Sequence, residues 1–179
     1  VQLMHEGTEV VCGGYCGDWM SELIRRLNGH HEPQEELIFH HLIKHSRPNT
    51  RIFELGANWA YYSNWYLGAV DGAQAVCLEP DVNSMRVGQE NLKINGREAR
   101  WFHACVGATQ ASSVEMKNES DGALVRIPCH HMDSLLEEVG SAPIEILHMD
   151  IQGAELGFLV SCARSASEGL LRFVIVSTH

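Results

Sequence analysis

Residues 53–60 read FELGANWA and decide how the chain folds. The apolar run 51–55 carries one acid, Glu54, and Gly56 follows it at once. An aromatic stretch of helical character comes next, at 59–67. This order predicts a buried strand, a tight turn and a helix, which is the unit that builds a mostly parallel sheet when it repeats along a chain.

The same unit recurs downstream, where short apolar runs alternate with amphipathic stretches, as in sheets whose two faces are covered by helices. We predict strands at 51–55, 73–78, 99–106, 124–128, 144–149 and 170–176, and helices at 59–67, 82–95, 134–139 and 154–163. The polar stretch 108–120 is predicted to be a loop or a hairpin. The fold class is therefore α/β, a Rossmann-like doubly wound, mostly parallel sheet in a three-layer sandwich.

The chain divides into an N-terminal extension, 1–50, which packs on the core, and a sheet domain, 51–179. In the extension we predict a strand at 9–12 and a helix at 34–45. We also expect the chain to stop after the fifth core strand of its fold. The run 170–176 would then be an exposed apolar edge, to be covered by a second copy of the chain or by further sequence.

Composition limits the partners. Thirteen Lys and Arg residues against 23 Asp and Glu residues give a net charge of -10, which disfavours a nucleic-acid ligand. The sequence has no apolar run of about 18 residues and no signal-peptide pattern, so we expect a cytoplasmic protein that does not bind membranes. Its six cysteines form no CxxC pair and are expected to be free thiols.

The turn at 53–60 predicts a site for a nucleoside-bearing ligand. Gly56 has no side chain, so a ligand can lie against the backbone at the carboxyl end of the sheet. Glu54 can meet a cationic group there, and Asn58 suits a helix cap or a ligand contact. Glu79 ends the next strand about 20 residues beyond the turn, the spacing at which an acid reaches ribose hydroxyls.

Two cofactor classes use this arrangement, and glycine number and charge separate them. NAD binding favours GxGxxG because a pyrophosphate must approach the helix end, but here Asn58 and Ala60 accompany the single Gly56. Glu54 would also repel a diphosphate. S-adenosylmethionine has an ammonium group and no phosphate, so it is the favoured cofactor, and an NAD-binding oxidoreductase is the weaker alternative.

A second acidic block, ILHMDIQGAE at 146–155, repeats the order of strand, acid, turn and helix. Asp150 falls at the carboxyl end of the strand expected beside the first one, where doubly wound sheets bind ligands. Taken alone, the block is equally well explained as an ordinary strand-to-helix turn in which the helix dipole favours Glu155.

These blocks resemble the FkbM-type family of class I S-adenosylmethionine-dependent methyltransferases. The resemblance rests on FELGAN, on LEPD at 78–81 and on HMDIQGAE, and it covers the chain from about residue 35 to 179. It implies O-methylation of a hydroxyl on a sugar, polyketide or similar small molecule. It places Glu54, Gly56 and Asn58 at the methionine end of the cofactor, Glu79 at the ribose, and Cys105 and Val106 beside the adenine. Ala57, Tyr61, Pro80 and Asp150 complete the expected cofactor site. One departure is Ala60, where the family usually has glycine.

Methyl transfer from a sulfonium is an in-line displacement that depends mainly on positioning. We predict that Asp150 orients or deprotonates the acceptor hydroxyl, with Glu155 and His148 in support. Asp150 is equally well explained as a carboxylate that only positions the cofactor, and His148 as a core histidine. The acceptor is expected to contact the loop 13–19 and the stretch 108–120.

A metal protein is the competing class, because His41 and His45 lie four apart on a predicted helix and residues 129–131 read CHH. Neither group has a fixed third ligand, so no metal site is predicted. A non-catalytic cofactor-binding module is the other alternative, and the test that separates it from an enzyme starts with whether the chain binds S-adenosylmethionine.

Overall fold

A computed structural model describes residues 1–118 and 120–177. The N-terminal extension contains two short strands, which pair antiparallel, and two helices. These elements are β1 (Gln2–Leu3), β2 (Glu9–Val10), α1 (Asp18–Arg26) and α2 (Pro33–Lys44). Strand β2 and helix α2 agree with the predicted strand at 9–12 and the predicted helix at 34–45, whereas β1 and α1 were not predicted.

The rest of the chain alternates strands and helices. Its strands are β3 (Arg51–Leu55), β4 (Gln74–Leu78), β5 (Arg100–Phe102), β6 (Cys105–Val106), β7 (Ala111–Lys117), β8 (Leu124–His130), β9 (Ile144–Met149) and β10 (Leu171–Val176). Its helices are α3 (Tyr61–Ala69), α4 (Val82–Ile94), α5 (Met132–Val139), α6 (Glu155–Ser161) and α7 (Ala163–Ser167). The main sheet has five parallel strands in the order β10-β9-β3-β4-β5.

The neighbouring strands β3 and β9 of this sheet are buried along their whole length, because helices cover both faces. On one face, Ile52 and Ile146 pack in a cluster with Phe39 of α2 and several aromatic residues of α3. On the other face, Phe53 packs with Leu135 of α5 and residues of α6. The predicted three-layer, doubly wound α/β fold is confirmed.

One predicted strand, 99–106, is wrong as a single element. The chain leaves the main sheet after Phe102, and Cys105 and Val106 pair instead with β8. A second sheet of three strands results, in the order β6-β8-β7, in which β7 and β8 form the hairpin that was one of the two alternatives for 108–120. The predicted helix 154–163 also divides, into α6 and α7.

Strand β10 lies at one edge of the main sheet, as expected, and β5 lies at the other. Val174 on β10 is 44% exposed. That a second copy of the chain or further sequence covers this edge stays a prediction. Among the described residues, no helix combines the length and the apolar character needed to cross a membrane.

Candidate functional site

A cavity of about 580 Å³ opens at the carboxyl ends of the main-sheet strands. It lies where β3 and β9 are neighbours and their following helices go to opposite faces, the point at which doubly wound sheets bind ligands. Most residues predicted from the sequence to form the site line this one cavity. They are Glu54, Gly56, Ala57, Asn58, Glu79, Pro80, Cys105, Val106, His148 and Asp150.

The turn after β3 has a left-handed backbone at alternate residues. The φ angle is 74° at Gly56, 42° at Asn58 and 57° at Ala60. A side chain at Gly56 would collide with the carbonyl oxygen of Asp150. The glycine is therefore required by the neighbouring turn after β9, in addition to any room that it leaves for a ligand.

Glu54 is fixed at the floor of the cavity by the helix that follows the turn. Its side chain accepts hydrogen bonds from the backbone N–H groups of Tyr62 (3.3 Å) and Ser63 (2.9 Å), in the first turn of α3. Burial raises the pKa of Glu54, although these bonds and the nearby His148 favour the charged form. The expectation that Asn58 caps α3 is wrong, because the helix starts after Ala60 and Glu54 accepts from its N–H groups.

Glu79 ties the turn to the end of the second core strand. Its Oε2 accepts from the backbone N–H of Asn58 at 2.7 Å, and its Oε1 accepts from that of Asp81 at 2.8 Å. The carboxylate is 5% exposed. Glu54 and Glu79 therefore flank the glycine turn from two neighbouring strands and both face the cavity.

His148 lies beside Glu54 in the register of β3 and β9. Its Nε2 is 2.6 Å from Oε1 of Glu35, a residue of α2. Burial raises the pKa of Glu35, but hydrogen bonds from His148, Ser177 and Tyr62 outweigh burial and lower this pKa to about 2. Nε2 therefore donates a hydrogen bond to an ionised carboxylate. The other ring nitrogen, Nδ1, is buried without a hydrogen-bond partner among the described atoms.

Glu35 is a partner of a predicted site residue that the sequence reasoning missed. It lies on a helix of the extension and reaches the strand end from far away in the chain, so no local spacing indicates the pair. The helical pattern at 34–45 predicted the helix but not the side chain that meets β9.

Two of the predicted site residues lie outside the cavity lining. Tyr61 is 1% exposed, and its hydroxyl donates to Glu6 at 3.0 Å, on the outer side of α3. Glu155 begins α6, where its Oε1 accepts from the backbone N–H of Gly153 at 3.0 Å. These contacts give both residues a structural explanation.

One wall of the cavity comes from the two segments that were expected to contact the acceptor. Tyr15 and Cys16 line it from the N-terminal loop, and residues 116–118 line it from the β7–β8 hairpin. The ring of Tyr15 stacks on Trp59, with centroids 4.6 Å apart and planes inclined by 7°. This wall thus offers a flat aromatic surface, which suits apolar faces of an organic ligand.

His31 stands beside this aromatic pair and also lines the cavity. Its ring meets Trp59 edge-on at 5.1 Å, and its two nitrogens contact Glu36 (2.8 Å) and Glu32 (3.3 Å). Burial lowers the pKa of His31, but the hydrogen bonds to Glu32 and Glu36 outweigh burial and raise this pKa to about 9. The imidazole is therefore positively charged at neutral pH.

Comparison with known families agrees with this geometry. The family described as the methyltransferase FkbM domain matches residues 32–179, so the chain belongs to that family. It is also similar to a protein of Jannaschia sp. (strain CCS1) whose name is a provisional methyltransferase assignment. The two sequences are 23% identical over 167 residues, and the match covers 76% of this chain but 58% of the relative's length.

Proposed function

We propose that the protein transfers a methyl group from S-adenosylmethionine to a hydroxyl of a sugar, polyketide or similar small molecule. The observation that carries the proposal is the pair of buried acids, Glu54 and Glu79, at the ends of adjacent parallel strands beside one cavity. One carboxylate suits the ammonium group of the cofactor and the other its ribose hydroxyls. The cavity volume lies within the range of roughly 300–1,000 Å³ that is usual for ligand pockets.

The charge and shape of the turn favour this cofactor over a dinucleotide. Glu54 is an acid, and its ionised form would repel a pyrophosphate. Asn58 and Ala60 keep the left-handed backbone that glycines would have, but their side chains take up room beside the helix end. S-adenosylmethionine has no phosphate, so neither feature opposes it.

The proposed reaction is a displacement in which the bond from sulfur to methyl breaks as the bond from the acceptor oxygen to methyl forms. The chain's main task is to hold the two in line and to exclude water. Asp150 lines the cavity beside the turn and takes the hydroxyl proton. His148, held by Glu35 next to Glu54, supports the charge balance at the floor of the cavity.

Binding of S-adenosylmethionine and of S-adenosylhomocysteine to Glu79→Ala tests the cofactor site. We expect calorimetry to show binding weaker by ~1–3 kcal/mol, because charged hydrogen bonds to the ribose are lost. Glu115→Ala is the control, since Glu115 is an exposed acid on the hairpin. Thermal unfolding must accompany the measurement because Glu79 also holds Asn58 and Asp81. An affinity equal to that of Glu115→Ala would rule out the ribose assignment.

Asp150→Asn separates proton transfer from cofactor positioning. With an acceptor hydroxyl that the wild type methylates, we expect turnover per bound cofactor to fall by at least about 100-fold, the usual contribution of a general base. Cofactor affinity, measured in parallel, should change much less. If affinity falls while turnover of the loaded enzyme stays the same, Asp150 only positions the cofactor.

A further inference from the structure

A cluster of imidazoles and carboxylates lies among the elements of the N-terminal extension. It is formed by His5 in the turn between β1 and β2, His30 in the loop after α1, and Glu36 on α2. One nitrogen or oxygen of each side chain lies within 4.8 Å of the others. Three separate segments of the extension therefore converge on one point.

Glu36 is the buried centre of this cluster, with 1% of its side chain exposed. Its carboxylate lies 3.5 Å from His5 Nδ1 and 2.8 Å from His31 Nδ1, and it is hydrogen-bonded to His30 Nδ1. Within residues 1–118 and 120–177, every ionisable partner within 4 Å of Glu36 is an imidazole, and none is a lysine or an arginine.

A second carboxylate, that of Glu6, lies next to this cluster. Its Oε2 lies 3.2 Å from His5 Nδ1, and its side chain is only 9% exposed. Its other oxygen, Oε1, is buried without a hydrogen-bond partner among the described atoms. A buried carboxylate oxygen that accepts no hydrogen bond is costly, and a bound cation is one way to satisfy it.

We propose that His5, His30 and Glu36 bind one zinc ion, with Glu6 as a neighbouring carboxylate beside His5. Two imidazole nitrogens and a carboxylate oxygen form a donor set that zinc prefers. Ligands about 2.1 Å from a tetrahedral zinc ion lie about 3.4 Å from one another, close to the 3.5 Å between His5 Nδ1 and Glu36 Oε2. The ion would join the N-terminal hairpin to α2, beside His31, which lines the cavity.

The histidine groups singled out from the sequence do not form such a site. His41 and His45 are exposed at the end of α2. His131 Nδ1 accepts from the backbone N–H of Ser134 and so caps α5. His41 and His45 are useful all the same, because they provide a matched pair of surface histidines on the same part of the chain.

The test is titration of the chelator-treated full chain with zinc chloride, followed by calorimetry and thermal unfolding. We expect the wild type and His41→Ala/His45→Ala to bind one equivalent and to unfold at a higher temperature with zinc. His5→Gln and His30→Gln should bind at least about 100-fold more weakly, since even outer-shell partners contribute roughly 10- to 100-fold to metal affinity. Without zinc, both variants should unfold near the temperature of the metal-free wild type.

Zinc-edge X-ray absorption of the loaded wild type should show nitrogen and oxygen ligands and no sulfur. A sulfur shell would assign the metal to the exposed thiols Cys12 and Cys16 and overturn the proposal. It is equally overturned if the wild type binds no zinc, or if His5→Gln and His30→Gln bind as tightly as the wild type. None of these readouts depends on methyl transfer.

Discussion

The two ends of the main sheet bury acids in different ways. At the amino end, Glu145 on β9 has a fully buried side chain, and its two oxygens accept four hydrogen bonds, from the backbone and side chain of Arg47 and from Arg172. At the carboxyl end, the carboxylate of Glu54 accepts hydrogen bonds from two backbone N–H groups of α3, and the Ser63 side chain is a further donor. Glu54 faces a cavity, whereas Glu145 does not line it.

This difference distinguishes a buried acid that the protein alone saturates from a buried acid that is a candidate for ligand binding. An ionised carboxylate can accept about four hydrogen bonds, so Glu145 is saturated by the protein itself. Glu54 accepts fewer hydrogen bonds from the protein than Glu145, and it lines a cavity that is large enough for a ligand. A buried acid becomes a candidate for function when the protein leaves part of its hydrogen-bonding capacity unused beside an open cavity.

The largest effect on the free energy of unfolding is expected at Gly56, in the turn after β3 at the carboxyl end of the main sheet. Gly56→Ala should lower the free energy of unfolding by about 3 kcal/mol, because the added methyl meets the Asp150 carbonyl oxygen and φ is 74°. Chemical denaturation measures this change. Ala60→Gly is the control: it removes a buried methyl but relieves a left-handed alanine, so stability should change by less than about 1 kcal/mol. Equal effects of both variants would contradict the collision.

The sequence predicted the carboxyl end well because its strands are unbroken apolar runs. The predicted bounds of β3 and β9 coincide with the observed ones, and Glu54 and Asp150 follow from their position at those strand ends. Parallel strands bring their carboxyl ends to one edge of the sheet, so residues distant in the chain meet there without any further information.

The extension was predicted poorly for physical reasons. Helix α1 was missed although its apolar residues, Trp19, Met20, Leu23 and Ile24, recur at helical spacing; only Ile24 among them is fully buried, and Trp19 and Leu23 are exposed. The contacts of Glu35 with His148, and of Glu36 with His5, join segments whose relative placement depends on tertiary packing. Local periodicity carries no signal for such pairs.

An intermediate effect is expected at the amino end. Glu145→Ala should lower the free energy of unfolding by about 2 kcal/mol, because charge-assisted hydrogen bonds from Arg47 and Arg172 are lost. The loss is moderated because both guanidinium groups can be solvated once their partner is removed. Affinity for S-adenosylmethionine should stay at the wild-type value in calorimetry. Weaker cofactor binding by Glu145→Ala would contradict the view that the acid at the amino end of the main sheet contributes to stability alone.

The pH dependence of unfolding provides the control for the Glu145 prediction. Burial raises the pKa of Glu145, but the hydrogen bonds from Arg47 and Arg172 outweigh burial and hold this pKa below its ordinary value of 4.5. A group whose pKa is lower in the folded state contributes stability above its unfolded pKa and loses it as the pH falls through the folded pKa. The difference in stability between the wild type and Glu145→Gln should therefore shrink below about pH 4.5, and a constant difference would contradict this role.

The smallest effect is expected on the aromatic wall that faces the carboxyl end. Tyr15 of the extension stacks on Trp59 of the turn after β3, and both line the cavity. Tyr15→Ala should raise the KM for the acceptor by a factor that corresponds to about 1 kcal/mol, since one stacking face is lost, and leave cofactor affinity nearly unchanged. Trp19→Ala is the matched control, because Trp19 is 64% exposed and, although it belongs to the segment 13–19, it does not line the cavity. If Tyr15→Ala instead weakened cofactor binding as much as Glu79→Ala, the two walls would form one binding surface rather than a cofactor side and an acceptor side.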